Sequence, residues 1–103
     1  MIRNFAAVVE ALSSEAGVTK GRMFGSEGLR VGKHVFAMEV KGRLVVKVSL
    51  ARASELRAGG LADSFDPGHG RPMKQWVSVD SRAKLDWLQL SREALAHVRG
   101  ADL

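Results

Sequence analysis

Two segments of alternating apolar residues, joined by a lysine and a glycine, constrain the fold of this chain more than any other feature. From residue 34 to 40, and again from 43 to 48, apolar side chains recur at every second position, which is the period of a β-strand. Lys41-Gly42 between them is the two-residue loop that closes a hairpin when glycine supplies a positive φ. One face is expected in the core, and the other faces solvent or a partner. On the first strand, the alternation separates Phe36, Met38 and Val40 from Val35, Ala37 and Glu39. On the second strand, it separates Leu44, Val46 and Val48 from Arg43, Val45 and Lys47.

Before and after this hairpin, apolar residues recur at steps of three and four, which is the period of an amphipathic helix. The pattern predicts helices over residues 2–16, 50–58 and 81–100. Ser49 is a suitable N-terminal cap for the second helix, and Asp80 or Ser81 for the third, since their side-chain oxygens accept from free helical N–H groups.

Short apolar segments between these helices predict the remaining strands. They lie at residues 19–24, 62–66 and 75–79, with residues 29–31 either continuing the first strand or forming a short second one. The predicted order is one helix, three or four strands, a helix, two strands and a helix. Strands joined by hairpins favour an antiparallel sheet, with helices segregated to one side, so we expect an α+β fold.

Length and composition exclude several classes of protein. The 103 residues suit one domain over residues 1–103, and the absence of cysteine excludes disulfides, thiolate zinc sites and cysteine nucleophiles. The apolar segments are too short to cross a bilayer, and the N-terminus lacks the apolar run of a signal peptide. We therefore expect a cytoplasmic protein without a membrane partner.

The residue types that perform chemistry are scattered along the chain. His34, His69 and His97 are too far apart in sequence for a zinc helix or finger. No serine lies in a nucleophile elbow, and the glycines at positions 21, 25, 28 and 32 open no helix that would cradle a phosphate. The sequence therefore predicts no catalytic residue, no cofactor and no metal site, and the protein is not expected to be an enzyme.

The segment Arg22-Met23-Phe24-Gly25-Ser26-Glu27-Gly28-Leu29 is the first of two unusual motifs. Methionine adapts to irregular surfaces, and glycine lets another backbone come close, so the segment could form an exposed apolar ridge that docks a partner. Alternatively, Met23 and Phe24 straddle the sheet while the glycines make a bulge, as is common where a sheet bends.

The second motif is Gly70-Arg71-Pro72-Met73, followed by Trp76. Proline pushes the residue before it towards an extended conformation. Arg71 held in this way could stack on Trp76 or bind a carboxylate or phosphate with both guanidinium nitrogens. Alternatively, Arg71 is buried and satisfies loop carbonyls, while Trp76 fills the core.

The net charge of +5 leaves nucleic acid open as a second kind of partner. Basic residues form no run longer than two, which is typical of a solvated surface. The sheet half of the chain holds Lys20, Arg22, Arg30, Lys33, Lys41, Arg43 and Lys47. Converging on one face, these side chains would track a phosphate backbone. There is no tyrosine, and an aromatic stacking platform is poorly supported.

Together, the motifs Arg-Met-Phe-Gly-x-x-Gly-Leu and Gly-Arg-Pro-Met-x-x-Trp, with the hairpin between them, resemble the N-terminal domain of the TfoX/Sxy family. Members are bacterial proteins linked to the regulation of natural competence. The resemblance covers residues 16–79. It implies a fold akin to that of type III secretion chaperones, a homodimer, and a non-enzymatic regulatory or adaptor role through protein contacts.

The same resemblance assigns the interaction to the motif residues and sets the expected domain content. We expect one domain of this N-terminal type over residues 1–103, without the helical C-terminal domain of the family. The motif residues are Arg22, Met23, Phe24, Gly25, Gly28, Leu29, Gly70, Arg71, Pro72, Met73 and Trp76.

Overall fold

A computed structural model describes residues 1–23, 25–68, 70 and 73–101 of the chain. Three helices and six strands follow one another in the predicted order, which confirms the α+β class. The elements are α1 (Phe5–Leu12), β1 (Val18–Met23), β2 (Ser26–Val31), β3 (His34–Val40), β4 (Arg43–Lys47), α2 (Leu50–Ala58), β5 (Asp63–Phe65), β6 (Met73–Val79) and α3 (Trp87–Ala101).

The six strands form one antiparallel sheet in the order β1-β2-β3-β4-β6-β5. β1 and β5 are therefore its edges. All three helices contribute to a single buried apolar cluster, so they cover one face of the sheet, which we call the helix side. Buried residues of the sheet in this cluster include Leu29, Phe36, Ala37, Leu44, Val46, Val77 and Val79.

The central hairpin forms as its sequence predicts. Lys41 and Gly42 have φ values of 53° and 77°, the pair of positive angles that a type I′ turn requires. β1 and β2 form a second tight hairpin, because Met23 pairs directly with Ser26 and Gly25 has a φ of 76°. The predicted strand over residues 29–31 is thus only the end of a longer β2.

A bulge in β3 overturns the predicted distribution of its side chains. Leu29 pairs with Ala37 but Arg30 with Val35, so Phe36 is an extra residue, and an extra residue reverses the alternation on one side of it. Phe36 consequently packs on the helix side beside Ala37, and Val35 packs on the opposite face. The predicted faces were wrong at Phe36 and Val35 for this reason.

The first and third helices begin later than predicted, because in each case a side chain just before the helix caps its first turn. Asn4 Oδ1 accepts from Ala7 N–H at 2.9 Å, and α1 begins at residue 5 and ends at residue 12. α3 begins only at Trp87, because Asp86 Oδ1 accepts the N–H of Leu88 at 3.0 Å. The predicted cap of the second helix is correct, with its serine Oγ accepting from the helix at 3.1 Å.

Asp80 is unavailable as a helix cap because it belongs to an ion-pair cluster. Hydrogen bonds from Arg82, helped by the charges of Arg82 and Arg43, lower the pKa of Asp80 from 3.8 to about 2. Arg43 also donates to Ser78 Oγ at 2.7 Å and to Asp63 Oδ2 at 2.6 Å. One guanidinium thereby joins β4, β6 and β5 at the same end of the sheet.

Within the described ranges, no helix has the length and apolar character needed to span a bilayer.

Gly28 pairs with Met38 beside the bulge, at a point where β2 and β3 leave no room for a side chain. An added Cβ would lie 2.7 Å from the Ala37 carbonyl oxygen and 3.0 Å from Met38 Cβ. We expect Gly28→Ala to lower the free energy of unfolding by about 1–3 kcal/mol, because neither the backbone nor the packed side chain can move freely. Urea denaturation measures this change.

A matched control is Gly100→Ala in α3, where an added Cβ meets nothing within 4 Å. It should be neutral or stabilise by about 0.5–1 kcal/mol, the usual difference between alanine and glycine in a helix. Equal effects at the two positions would show that the bulge needs no glycine.

Candidate site on the open face of the sheet

The face of the sheet opposite the helices carries a second apolar cluster, which we call the open-face cluster. Its buried members are Met38, Val45, Phe65 and Trp76, and its partly buried members are Met23, Val35, Val40 and Met73. Among the described residues, no helical side chain belongs to it. The cluster is thus built by strand residues alone, and half of its members keep some contact with solvent.

The two motifs meet in this cluster. Met23, at the end of β1, and Met73 and Trp76, in β6, line one cleft of about 380 Å³ together with Val35. β1 and β6 are separated by three strands in the sheet, and the cleft is also lined by Val35 of β3 and Lys47 of β4, which lie between them. We call this feature the open-face cleft.

The structure places the other predicted motif residues in different roles. Leu29 is fully buried on the helix side. Gly28 lies beside β3 in the sheet, next to the bulge. Neither residue lines the cleft. Gly25 is in the β1–β2 turn, and Gly70 has a φ of 75°. The predictions for Phe24, Arg71 and Pro72, including stacking of Arg71 on Trp76, fall outside the described residues.

Trp76 itself is 4% exposed and packs inside the open-face cluster. This agrees with the interpretation in which Trp76 fills a core. Its Cα partner across the ladder is Lys47 of β4.

Positive charge surrounds the open-face cleft. Arg22, Lys33 and Lys47 line it, and its described lining contains no carboxylate. Arg22 Nη2 donates to the carbonyl oxygen of Gly25 at 3.2 Å, which holds the guanidinium beside the β1–β2 turn. An apolar centre with a cationic rim suits a ligand surface that combines apolar and acidic groups.

The sequence analysis named Lys33 and Lys47 only among the cations of a possible nucleic-acid surface, and it did not place Val35 in any site. The alternation of β4 predicted Lys47 on the face opposite Leu44 and Val46, and this pattern could have identified it as part of the site. Lys33 lies in the β2–β3 turn and Val35 next to the bulge, and only the folded sheet brings them beside Met73.

A separate groove of about 450 Å³ lies on the helix side, between α1 and the first three strands. We call it the α1 groove. Phe5, Ala6 and Val9 form its apolar wall; Lys20, Gly21, Arg22, Glu27, Gly28 and Glu39 form the rest of its lining. Cations and carboxylates are balanced here, unlike in the open-face cleft.

The described residues contain no group of three His, Asp or Glu side chains placed to hold a metal ion. Among the described residues, the buried Nε1 of Trp87 and Oγ of Ser91, both in α3, find no hydrogen-bond partner. They lie in the helix-side core, away from either cleft.

Comparison with known proteins agrees with the motifs and the fold. No curated protein and no solved structure matches this sequence. The family model of the TfoX N-terminal domain matches residues 10–98, a range that includes the whole sheet, α2 and most of α3. The resemblance that the two motifs carry is thereby confirmed, and the chain belongs to the TfoX N-terminal domain family.

Proposed function

We propose that this protein is a non-enzymatic regulatory or adaptor domain that binds a protein partner through the open face of its sheet. The observation that carries the proposal is the convergence of Met23, Met73 and Trp76 in one cleft. Two sequence motifs far apart in the chain supply these residues, and both methionines remain partly exposed. Methionine side chains adapt to different partner surfaces.

The make-up of the open face supports a protein as the partner. Protein interfaces combine a desolvated apolar centre, often aromatic or methionine-rich, with a polar rim that excludes water. Here the partly buried Met23, Val35 and Met73 surround the buried Trp76, and Lys33 and Lys47 stand at the rim. The partner would present apolar side chains flanked by carboxylates.

Family membership supports a regulatory role and a homodimer. The resemblance to the TfoX/Sxy family implies cytoplasmic transcriptional or competence-type regulation and a homodimer, and we propose both for this chain. Light scattering of the purified protein tests the homodimer: we expect twice the mass of the 103-residue chain. A monomer at the concentrations used for binding would contradict this part of the proposal.

The docking surface is tested by reversing its charged rim. In the double variant Lys33→Glu/Lys47→Glu, carboxylates replace two cations beside the cleft, so binding of an acidic partner should fall about tenfold or more. Affinity capture from a lysate of the source cell identifies candidate partners. The affinity of one purified candidate is then measured with each variant.

The control is Arg3→Glu/Lys84→Glu, which changes the net charge equally at two exposed positions outside the open-face cleft. It should bind as the unmodified protein does. Equal loss in both double variants would indicate a general charge effect, and unchanged binding in both would remove the open face as the docking surface.

A second candidate is low-specificity binding of nucleic acid, favoured by the cations and the lack of a carboxylate along the open-face cleft. Trp76 is too deeply buried to stack on bases, so binding would rest on phosphate contacts. Affinity for a short duplex should then fall steeply with salt, and Lys33→Glu/Lys47→Glu should reduce the slope. Absence of binding even at low salt rejects this candidate.

A further inference from the structure

The outer edge of β1 offers a row of main-chain groups without a partner strand. β1 pairs only with β2 and is one of the two edges of the sheet. In the two-residue hairpin closed by Met23 and Ser26, that pair exchanges both main-chain hydrogen bonds, and such pairs alternate along the ladder. The N–H and C=O groups of Lys20 and Arg22 therefore point away from β2. Neither residue has another main-chain hydrogen bond in the part of the chain described.

Side chains of β1 alternate between the two faces of the sheet. Val18 packs in the helix-side core, and Lys20 and Arg22 follow it on the same face, where they line the mouth of the α1 groove. Met23 belongs to the open-face cluster, and Gly21 shares that face. A strand added beside β1 would thus meet two cations on the helix side. On the other face it would meet Met23 at one end, with the Arg30 side chain lying against Thr19 and Gly21.

The two cations at this edge are not held in ion pairs with any described residue. Glu27 lies opposite Arg22 in the ladder and Leu29 lies opposite Lys20. Among the described residues, no carboxylate lies within ion-pair distance of either cation. Both are therefore open to an incoming carboxylate.

A second copy of the same strand fits this edge poorly. If two β1 strands paired antiparallel about Gly21, each Lys20 would lie directly opposite the Arg22 of its partner. Like charges directly opposite one another destabilise a strand pair. Lysine on an edge strand is a common means of preventing such self-association.

The other edge of the sheet is a weaker template. β5 has only three residues, Asp63–Phe65, and Asp63 is tied to Arg43 through a hydrogen bond of 2.6 Å. β1 has six residues and no proline. It is thus the longer of the two edges.

We propose that β1 receives an extended acidic peptide segment as an added strand. Carboxylates at alternate positions of the segment pair with Lys20 and Arg22 on the helix side. The intervening positions carry small apolar side chains, which lie beside Gly21 and Met23 on the other face. Main-chain hydrogen bonds to Lys20 and Arg22 supply affinity, and the alternation of acidic and apolar residues supplies specificity. This site shares Arg22 and Met23 with the lining of the open-face cleft, but its main-chain contacts lie along the edge of β1.

The probe is a capped synthetic peptide of alternating glutamate and valine, as long as β1. Its counterpart alternates lysine and valine. NMR titration should show binding of the glutamate peptide, with slowed hydrogen exchange at the amides of Lys20 and Arg22. The lysine peptide should bind about tenfold more weakly or not at all, because it places cations opposite cations.

Variants at Lys20 separate main-chain pairing from charge attraction. Lys20→Pro and Lys20→Ala both remove the charge, but only proline removes the outward N–H, which the β1–β2 ladder does not use. The fold should persist in both, and the proline variant should bind about tenfold or more weakly than the alanine variant. Lys20→Glu/Arg22→Glu should reverse the preference and bind the lysine peptide. Far-UV circular dichroism checks the fold of each variant, and the charge reversal remains informative if the proline variant unfolds.

The matched control is Arg3→Glu/Lys84→Glu, which changes the net charge equally at two exposed positions outside both clefts and should leave binding of the glutamate peptide unchanged. Binding without protection of the Lys20 and Arg22 amides, or with no preference between the two peptides, would overturn the proposal. So would sedimentation or NMR data that place a second copy of the chain along β1.

Discussion

The rest of the structure depends on two central strands that are apolar on both faces. In β3 and β4, Ala37 and Val46 are fully buried on the helix side, and Met38 and Val45 are fully buried on the opposite face. Antiparallel sheets with helices on one side commonly leave their second face to solvent. Here the second face holds apolar side chains, so neighbouring strand residues or another molecule must cover them.

The bulge in β3 links this constraint to the candidate site. By turning Phe36 into the helix-side core, it keeps a large aromatic ring away from the open face and places Val35 there instead. A bulge also increases the local twist and bend of a sheet. Both effects help β1 and β6 to contribute to one cleft although three strands separate them, and Gly28 makes the close approach of β2 possible.

Local patterns were sufficient to predict much of the fold, whereas contacts between distant segments were not predictable from them. The Lys41-Gly42 turn and the Ser49 cap are determined by neighbouring residues, and both form as expected. β3 contains no glycine or proline at the bulge, so its own sequence gives no indication that Phe36 is an extra residue. Asp80 was wrongly assigned as a helix cap because its carboxylate accepts from Arg82, two residues on, and from Arg43, 37 residues away in sequence. The motif methionines pointed to the site, but its cationic rim became visible only in the folded sheet.

The two tryptophans of the chain lie in separate layers of the molecule. Trp87 is in the helix-side core, and Trp76 is in the open-face cluster. With no other tryptophan and no tyrosine present, intrinsic fluorescence comes almost entirely from these two rings. Replacing either one by phenylalanine leaves a single emitter on a known side of the sheet. The protein thus carries two built-in optical probes that distinguish a ligand seated on the strands from a rearrangement of the helices.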